Sequence, residues 1–205
     1  MASIYQLKPR FQAILRPACN RLAAAGVTAN QVTVAAAVLS AAGGALILWR
    51  PEAGWPLLVL PAILFLRMAL NALDGMLARE HKMESRLGAI LNELGDVVAD
   101  AALYLPLAAV PGLSGPLVAC VVVAGIIAEM AGVVAVLAGA SRRYDGPVGK
   151  SDRAAIFGLL ALLLGLGVPA GGWTDAVLGA ALLGSVMTVV NRGRRGLSES
   201  GDAAG

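Results

Sequence analysis

Residues 71–100 read NALDGMLAREHKMESRLGAILNELGDVVAD, and this stretch decides the fold class. Polar side chains recur in it, inside two segments that are otherwise apolar enough to cross a bilayer. They are Asn71, Asp74, Asn92, Glu93, Asp96 and Asp100. A carboxylate at the centre of a membrane helix costs about 2.5–3.5 kcal/mol. A chain therefore keeps such groups only where they pair, bind a ligand or take part in chemistry.

The composition is typical of an integral membrane protein. Hydrophobic residues make up 58% of the 205 residues. Charged residues make up 14%, against about 25% in an ordinary soluble domain. Six apolar runs reach the roughly 20 residues that a spanning helix needs. They are residues 31–49, 55–78, 86–110, 116–140, 153–170 and 174–191. The sequence thus predicts an all-α integral membrane protein with six transmembrane helices.

The chain divides into three predicted regions: an arm at 1–30, the transmembrane domain at 31–192, and a disordered cytoplasmic tail at 193–205. Within the arm, apolar residues recur at helical spacing between basic residues: Ile4, Leu7, Phe11 and Ile14. This pattern predicts an amphipathic helix lying at the cytoplasmic interface of the membrane. The alternative is a loose basic arm that only sets the topology.

Lysine and arginine residues predict the orientation. Fourteen of the sixteen fall in the N-terminal arm, in the 79–86 and 141–153 loops, and at the C-terminal end. The positive-inside rule puts these regions in the cytoplasm, together with both termini of a six-span chain. The net charge of +3 reflects this asymmetry and does not indicate nucleic-acid binding.

The polar residues of the second and third predicted spans share helix faces. They are Asn71 and Asp74 on one helix, and Asn92, Asp96 and Asp100 on the next. The short connecting loop makes the two helices antiparallel neighbours, so their polar faces can meet near the cytoplasmic end. Oxygen ligands without histidine or cysteine suit a hard cation such as Mg²⁺, Mn²⁺ or Ca²⁺. A hard cation at this depth suits a phosphate-bearing substrate.

The spacing resembles the signature of the CDP-alcohol phosphotransferase family, D-x-x-D-G-x-x-A-R-x8-G-x-x-x-D-x-x-x-D. The matching residues are Asp74, Gly75, Ala78, Arg79, Gly88 and Asp96. The TANQVT segment at 28–33, before the first span, is also similar to the family. More narrowly, LNALDGMLARE at 70–80 and RRYDGPVGKSDRA at 142–154 resemble its YnbA-like branch.

The resemblance implies an enzyme of phospholipid biosynthesis, in which an alcohol displaces CMP from CDP-diacylglycerol. It makes 31–192 the catalytic domain and Asp96 the general base. It implies one or two Mg²⁺ or Mn²⁺ ions, held by Asn71, Asp74, Asn92 and Asp96. It implies a CDP pocket shaped by Asp74, Gly75, Ala78, Arg79 and Gly88. It also implies a homodimer in a bacterial-type inner membrane, with the active site facing the cytoplasm.

Two residues of this chain differ from the family signature. The first and third aspartates of the family are Asn71 and Asn92 here. An amide oxygen can bind Mg²⁺ but carries no charge, so we expect weaker metal binding or a single tightly bound metal. Asp100 and Glu93 are additional candidate ligands at adjacent positions. Glu93 lies about 100° around the helix from Asn92, so it would need a rotation to replace it.

Basic residues gather in the 141–153 loop. In the family, the equivalent region supplies basic groups to a phosphorylated acceptor. The resemblance therefore suggests glycerol 3-phosphate or another phosphorylated polyol as the acceptor. The candidate ligands are Arg142, Arg143, Lys150 and Arg153. The alternative is that these cations only set topology and attract anionic lipid headgroups.

Two charged residues in the predicted spans, Arg67 and Glu129, are not part of the signature. Arg67 and Glu129 are predicted at similar depth in the membrane, which favours an ion pair between them. Asp100 lies at a similar depth and is a rival partner for Arg67. A role in ligand binding is the alternative for both Arg67 and Glu129.

Two other functions compete with the transferase. Because of Asn71 and Asn92, a catalytically impaired family member could bind a CDP-lipid or a partner protein without turnover. An ion or solute carrier could also use intramembrane carboxylates. Carriers usually contain repeats or broken helices at the membrane midplane, whereas the first carboxylates here cluster near one interface.

Overall fold

A computed structural model describes residues 4–202 of the chain, and the side chains of residues 9–200. The described part is built from α-helices, short 3₁₀ helices and turns, which confirms the predicted all-α class. The α-helices are α1 (Ile4–Ala24), α2 (Ala29–Trp49), α3 (Gly54–Glu80), α4 (Arg86–Tyr104), α5 (Gly115–Val134), α6 (Lys150–Gly165) and α7 (Gly172–Asp202). The 3₁₀ helices Leu105–Ala109 and Ala135–Ala138 follow α4 and α5.

Four helices within the described residues are long and apolar enough to cross a membrane. They are α2, α3, α5 with its following 3₁₀ helix, and α7. The two other predicted spans coincide with α4 and α6. Helix α4 carries several ionisable residues, and α6 has only 16 residues. Length and composition therefore support four of the six predicted spans.

The chain forms two compact units. Unit 1 comprises Met1–Ala42 and Ala62–Ala99, and unit 2 comprises Gly43–Pro61 and Asp100–Gly205.

In unit 1, helix α1 packs on α2 and α3. A buried apolar cluster joins the three helices; its members are Cys19, Ala29, Val32, Leu73, Met76 and Leu77. The N-terminal arm is thus helical over Ile4–Ala24, with Cys19 facing the core and Ile14 75% exposed. The side chains of Ile4 and Leu7 lie outside the described residues, and the interfacial position of α1 stays a prediction.

Two local caps begin the helices that carry the signature residues in unit 1. At the start of α2, the Gln31 side chain accepts from the Thr28 backbone N–H at 2.9 Å, and Thr28 Oγ1 accepts from the Gln31 N–H at 3.3 Å. This reciprocal pair is a capping box. At the start of α4, Ser85 Oγ accepts from the backbone N–H of Gly88 at 2.9 Å. These caps fix where α2 and α4 begin.

In unit 2, α5 packs against α6 and α7. Tyr104 and Phe157 stack with their ring centroids 4.5 Å apart. Thr188 on α7 fastens the preceding loop, because its hydroxyl accepts from the Val148 N–H at 3.1 Å.

The prediction of a disordered tail at 193–205 is wrong over 193–202, because α7 continues to Asp202. Residues 203–205 lie outside the described residues. Contacts with the loop between α5 and α6 hold the extension. Arg195 pairs with Asp145, and Glu199 accepts from the Ser141 N–H at 3.1 Å. The small polar residues of the tail predict disorder locally, whereas its helix depends on these contacts with a loop about 50 residues away in sequence.

Candidate active site

Unit 1 contains a cavity of about 620 Å³ between the ends of α2, α3 and α4. All five residues predicted to shape the CDP pocket line it: Asp74, Gly75, Ala78, Arg79 and Gly88. Asn92 lines it as well, together with Asn30 and Thr33 of α2. The spacing in sequence therefore corresponds to a shared position in space. Helices α3 and α4 supply the signature residues, while α2 contributes further polar groups.

Asp74 is held by α2. Its carboxylate is 6% exposed, and Oδ2 lies 2.9 Å from the Thr33 hydroxyl, which donates to it. The same hydroxyl lies 3.1 Å from the backbone carbonyl of Ala29. Thr33 therefore positions this carboxylate. Thr33 is not part of the family signature, but it lies in the TANQVT segment at 28–33, which resembles the family.

Asp96 is held by α3. Asn71 Nδ2 donates to its Oδ1 at 3.2 Å, and Arg67 Nη2 donates to its backbone carbonyl at 3.1 Å. Arg67 Nη2 also lies 3.9 Å from Oδ1 of Asp96. The amide at position 71 thus contacts the predicted base directly. A carboxylate at this distance would repel Asp96 unless a cation lay between them.

Two glycines bring the helix backbone close to the cavity. A Cβ atom on Gly88 would lie 2.7 Å from Oδ1 of Asn30, closer than real contacts allow. A Cβ atom on Gly75 would lie 3.2 Å from Nη2 of Arg79, which folds back over this turn of α3. Because the two glycines have no side chain, Asn30 and Arg79 can pack directly against the backbone of α4 and α3.

The two additional candidate metal ligands, Glu93 and Asp100, are not among the described residues that line the cavity, and neither are Asn71 and Asp96. Asp100 belongs to unit 2, where it is buried and its Oδ2 lies 3.4 Å from Nη2 of Arg153. This arginine contact gives Asp100 a role in an ion-pair cluster of unit 2.

Glu129 is the centre of that cluster. Three arginines of unit 2 surround it, and the predicted pair with Arg67, a residue of unit 1, stays a prediction. Its carboxylate oxygens lie 3.1 Å from Arg153, 3.3 Å from Arg192 and 3.7 Å from Arg142. Arg192 was counted only as a topology signal in the sequence. Its place directly after the predicted sixth span, 174–191, gave no hint that its side chain is buried.

The other predicted acceptor ligands are also in unit 2. Arg143 pairs with Asp145 at 2.8 Å and with Glu199 at 2.5 Å. Lys150 is the first residue of α6. Burial alone would raise the pKa of the Asp145 carboxyl, but hydrogen bonds from Arg143 and Arg195 hold that pKa below its usual value.

The sequence matches a known protein family and a known bacterial membrane protein. The family model for CDP-alcohol phosphatidyltransferases matches residues 26–190. The chain belongs to the CDP-alcohol phosphatidyltransferase family. The inner membrane protein YnbA of Escherichia coli strain K12 is 44% identical over 194 residues, which cover 94% of this chain and 95% of YnbA. The narrower resemblance to the YnbA-like branch is therefore confirmed.

Solved structures share the fold of this family member. The phosphatidylinositol phosphate synthase of Mycobacterium tuberculosis with CDP-DAG bound superposes with a TM-score of 0.75 at 23% identity, covering 92% of this chain and 94% of that one. The same synthase in complex with manganese and citrate gives a TM-score of 0.72 at 24% identity, covering 86% and 85%. At these identities, the likeness shows the fold.

The predicted metal ligands form two groups in the structure. Asp74 and Asn92 line the cavity, while Asn71 contacts Asp96. Within the described part of the chain, no three histidine, cysteine, aspartate or glutamate side chains form a metal-binding group. Any metal site on Asp74 or Asp96 would therefore also need amide oxygens or ligands from substrate or water.

Proposed function

We propose that this protein is an enzyme of phospholipid synthesis that transfers a phosphatidyl group from CDP-diacylglycerol to an alcohol and releases CMP. The observation that carries this proposal is the cavity in unit 1. Asp74, Gly75, Ala78, Arg79 and Gly88 are scattered over fifteen positions of the sequence and yet line one space. Family membership supplies the reaction class.

In the proposed reaction, the acceptor oxygen forms a bond to the phosphorus that carries the diacylglycerol. The bond from that phosphorus to the oxygen shared with the cytidylyl phosphate breaks, and CMP leaves with that oxygen. The hydroxyl proton passes to the carboxylate of Asp96, which acts as the general base. Arg79, with its guanidinium over Gly75, is placed to stabilise negative charge on the pyrophosphate.

One Mg²⁺ or Mn²⁺ ion fits the donor set of Asp74 and Asp96, with Asn71 and Asn92. A divalent cation bound there supplies neutralisation of charge on the pyrophosphate oxygens. Thr33 keeps the Asp74 carboxylate oriented, and Asn71 keeps Asp96 oriented. The manganese complex of the mycobacterial synthase is consistent with this donor chemistry.

The membrane arrangement follows from the sequence and the family. We propose that α4 and α6 span the membrane with the four more apolar helices, giving six spans with both termini and the site facing the cytoplasm. A bacterial inner membrane is the proposed location, as for YnbA. A homodimer is the assembly that the family resemblance favours.

The acceptor of the proposed reaction is an alcohol. Basic residues first suggested a phosphorylated polyol such as glycerol 3-phosphate. However, Arg142, Arg143 and Arg153 each contact a carboxylate of unit 2. These ion pairs count against a phosphate ligand at the arginines.

The test is an incubation of purified protein with CDP-diacylglycerol, Mn²⁺ and a panel of alcohols, followed by mass spectrometry of CMP and new lipids. The proposal predicts CMP and one new phospholipid, both lost in Asp96→Asn. The competing function is a binding protein, which Asn71 and Asn92 favour. Saturable binding of CDP-diacylglycerol, with no CMP from any alcohol, would establish that alternative.

A further inference from the structure

The loop between α3 and α4 forms one wall of the cavity in unit 1. Met83, Glu84 and Ser85 line the cavity from this loop. The α4 end of the loop is fixed, since Ser85 Oγ accepts from the Gly88 N–H at 2.9 Å. The family signature passes over positions 80–87 without specifying a residue. The contacts that hold the α3 end of the loop therefore decide where Met83 and Glu84 lie.

The turn that starts the loop has an unfavourable backbone conformation. Lys82 has a φ angle of 55°, in the left-handed region that glycine adopts without cost. The Met83 N–H donates to the Ala78 carbonyl at 2.9 Å and closes this turn. A residue with a side chain persists in the left-handed region only where the surrounding structure holds it there. The turn therefore depends on contacts with neighbouring elements.

Helix α1 supplies contacts of this kind. Nε2 of His81 lies 3.2 Å from Oδ1 of Asn20, within hydrogen-bonding distance. Arg16 Nη1 donates to Oε2 of Glu80 at 2.9 Å. Met83 packs against the buried cluster that joins α1 to α2 and α3. The end of α3 and the start of the loop are thus tied to α1 at three places.

The hydrogen bond between Asn20 and His81 is the most informative of the three contacts. The side chains of Arg16 and Glu80 are 53% and 33% exposed, so their ion pair contributes little in water. Met83 touches the cavity itself, so its own contacts with a ligand would mask its role in holding the loop. Asn20 and His81 are not among the described residues that line the cavity. An effect of these two residues on the cavity must therefore pass through the loop.

We propose that Asn20 and His81 are positioning residues, which hold the loop between α3 and α4 in place as a wall of the cavity. The contact raises the affinity of the cavity for a cytidine diphosphate group and takes no part in the chemical step. For its ligand, this inference rests on the proposed function. The position of the loop can be measured without any ligand.

The first test measures binding of soluble CDP to the full chain in detergent by titration calorimetry. Asn20→Ala and His81→Ala should each lower the affinity about three- to fivefold, because each removes the same hydrogen bond. The double variant should therefore lose no more than either single variant does. Asn20→Asp keeps the acceptor oxygen and should stay within about twofold of the wild type. Wild-type affinity in both single variants, or losses that multiply in the double variant, overturns the proposal.

The matched control is Arg10→Gln, which changes an exposed residue of the same helix and should bind CDP as the wild type does. Turnover gives a further readout. Asn20→Ala should raise the KM for CDP-diacylglycerol by the same factor as the loss of CDP affinity, with kcat within about twofold of the wild type. A fall in kcat at unchanged KM would contradict a positioning role.

Hydrogen exchange of the ligand-free protein tests the inference separately from the proposed function. The reporters are the backbone amides of His81 and Met83, which donate to the carbonyls of Leu77 and Ala78. We expect both amides to exchange several-fold faster in Asn20→Ala than in the wild type. Unchanged exchange overturns the inference, whatever the protein binds. If the wild type binds no CDP, the proposed nucleotide site fails, and faster exchange in the variant still supports α1 as the element that holds this wall of the cavity.

Discussion

Asn71 donates a hydrogen bond from its Nδ2 to Oδ1 of Asp96 across 3.2 Å, and so joins α3 to α4. The family signature has a carboxylate at position 71. Two ionised carboxylates at this separation repel each other unless a cation or a shared proton lies between them, whereas an amide and a carboxylate satisfy each other. We therefore expect the site of this protein to attract a metal less strongly than a site with a carboxylate at position 71.

Asn71→Asp should reverse this balance. The variant places a second carboxylate beside Asp96, so we expect a lower thermal midpoint in the presence of a chelator. We also expect Mn²⁺ affinity to rise roughly tenfold, because the added charge faces the cation at short range. Electron paramagnetic resonance of free Mn²⁺ measures the affinity, and a thermal melt with and without metal measures the stability.

The control for this prediction is Asn191→Asp, which adds the same charge to unit 2. It should leave Mn²⁺ affinity unchanged. If Asn71→Asp binds Mn²⁺ no more tightly than the wild type does, the charge deficit does not limit the metal site.

Thr33→Val should weaken the metal site while keeping the shape of the side chain. The change removes the hydroxyl that donates to Asp74 at 2.9 Å. A hydrogen bond of this kind contributes about 1 kcal/mol, so we expect an approximately fivefold loss of Mn²⁺ affinity. Thr33→Ser retains the hydroxyl and should stay within about twofold of the wild type. Equal affinity for Thr33→Val and Thr33→Ser would show that Thr33 does not position Asp74.

Gly88→Ala should impair nucleotide binding. The new methyl group would lie 2.7 Å from Oδ1 of Asn30, so Asn30 or the start of α4 must move at the wall of the cavity. We expect a loss of CDP affinity of about tenfold or more, by titration calorimetry with soluble CDP. Gly179→Ala is the matched control, because a Cβ atom there meets nothing within 4 Å. If Gly88→Ala binds CDP as tightly as the wild type does, Gly88 and Asn30 are not part of the nucleotide-binding site.

Glu199→Ala should loosen the loop between α5 and α6. Glu199 accepts hydrogen bonds from Ser141 and Arg143, which tie this loop to the end of α7. We expect faster amide hydrogen exchange at residues 139–149, with no change at α2 or α3. Ser200→Ala, on the same helix end, removes only a bond to the Leu197 carbonyl and should leave the loop unaffected. Identical exchange in the two variants would mean that the extension of α7 does not hold the loop.

The signature residues were predictable because their spacing follows helix geometry. Asp74 and Gly88 lie on helices joined by a short loop, so the sequence alone could place them together. The five residues predicted for the CDP pocket do share one cavity. The all-α class followed equally directly from composition, since apolar runs of bilayer length leave the backbone few alternatives to a helix.

The partners of buried charges could not be predicted in this way. Matched depth along two helices suggested Arg67 as a partner of Glu129, but depth says nothing about which faces meet around a bundle. Within unit 2, Glu129 contacts Arg192, whose long side chain reaches a position that its own backbone does not indicate. The disordered tail failed for a related reason: its order comes from long-range contacts of Glu199, and local composition carries no record of them.

The central claim is the transfer of a phosphatidyl group with loss of CMP, and its most direct test is stoichiometry. Wild-type protein is incubated with CDP-diacylglycerol, Mn²⁺ and the alcohol that gives the most product, and CMP and new phospholipid are both quantified by mass spectrometry. The account predicts one CMP for each new phospholipid, with both products absent in Asp96→Asn. CMP that appears with phosphatidate in place of a new phospholipid, or CDP-diacylglycerol that stays intact with every alcohol, would contradict it.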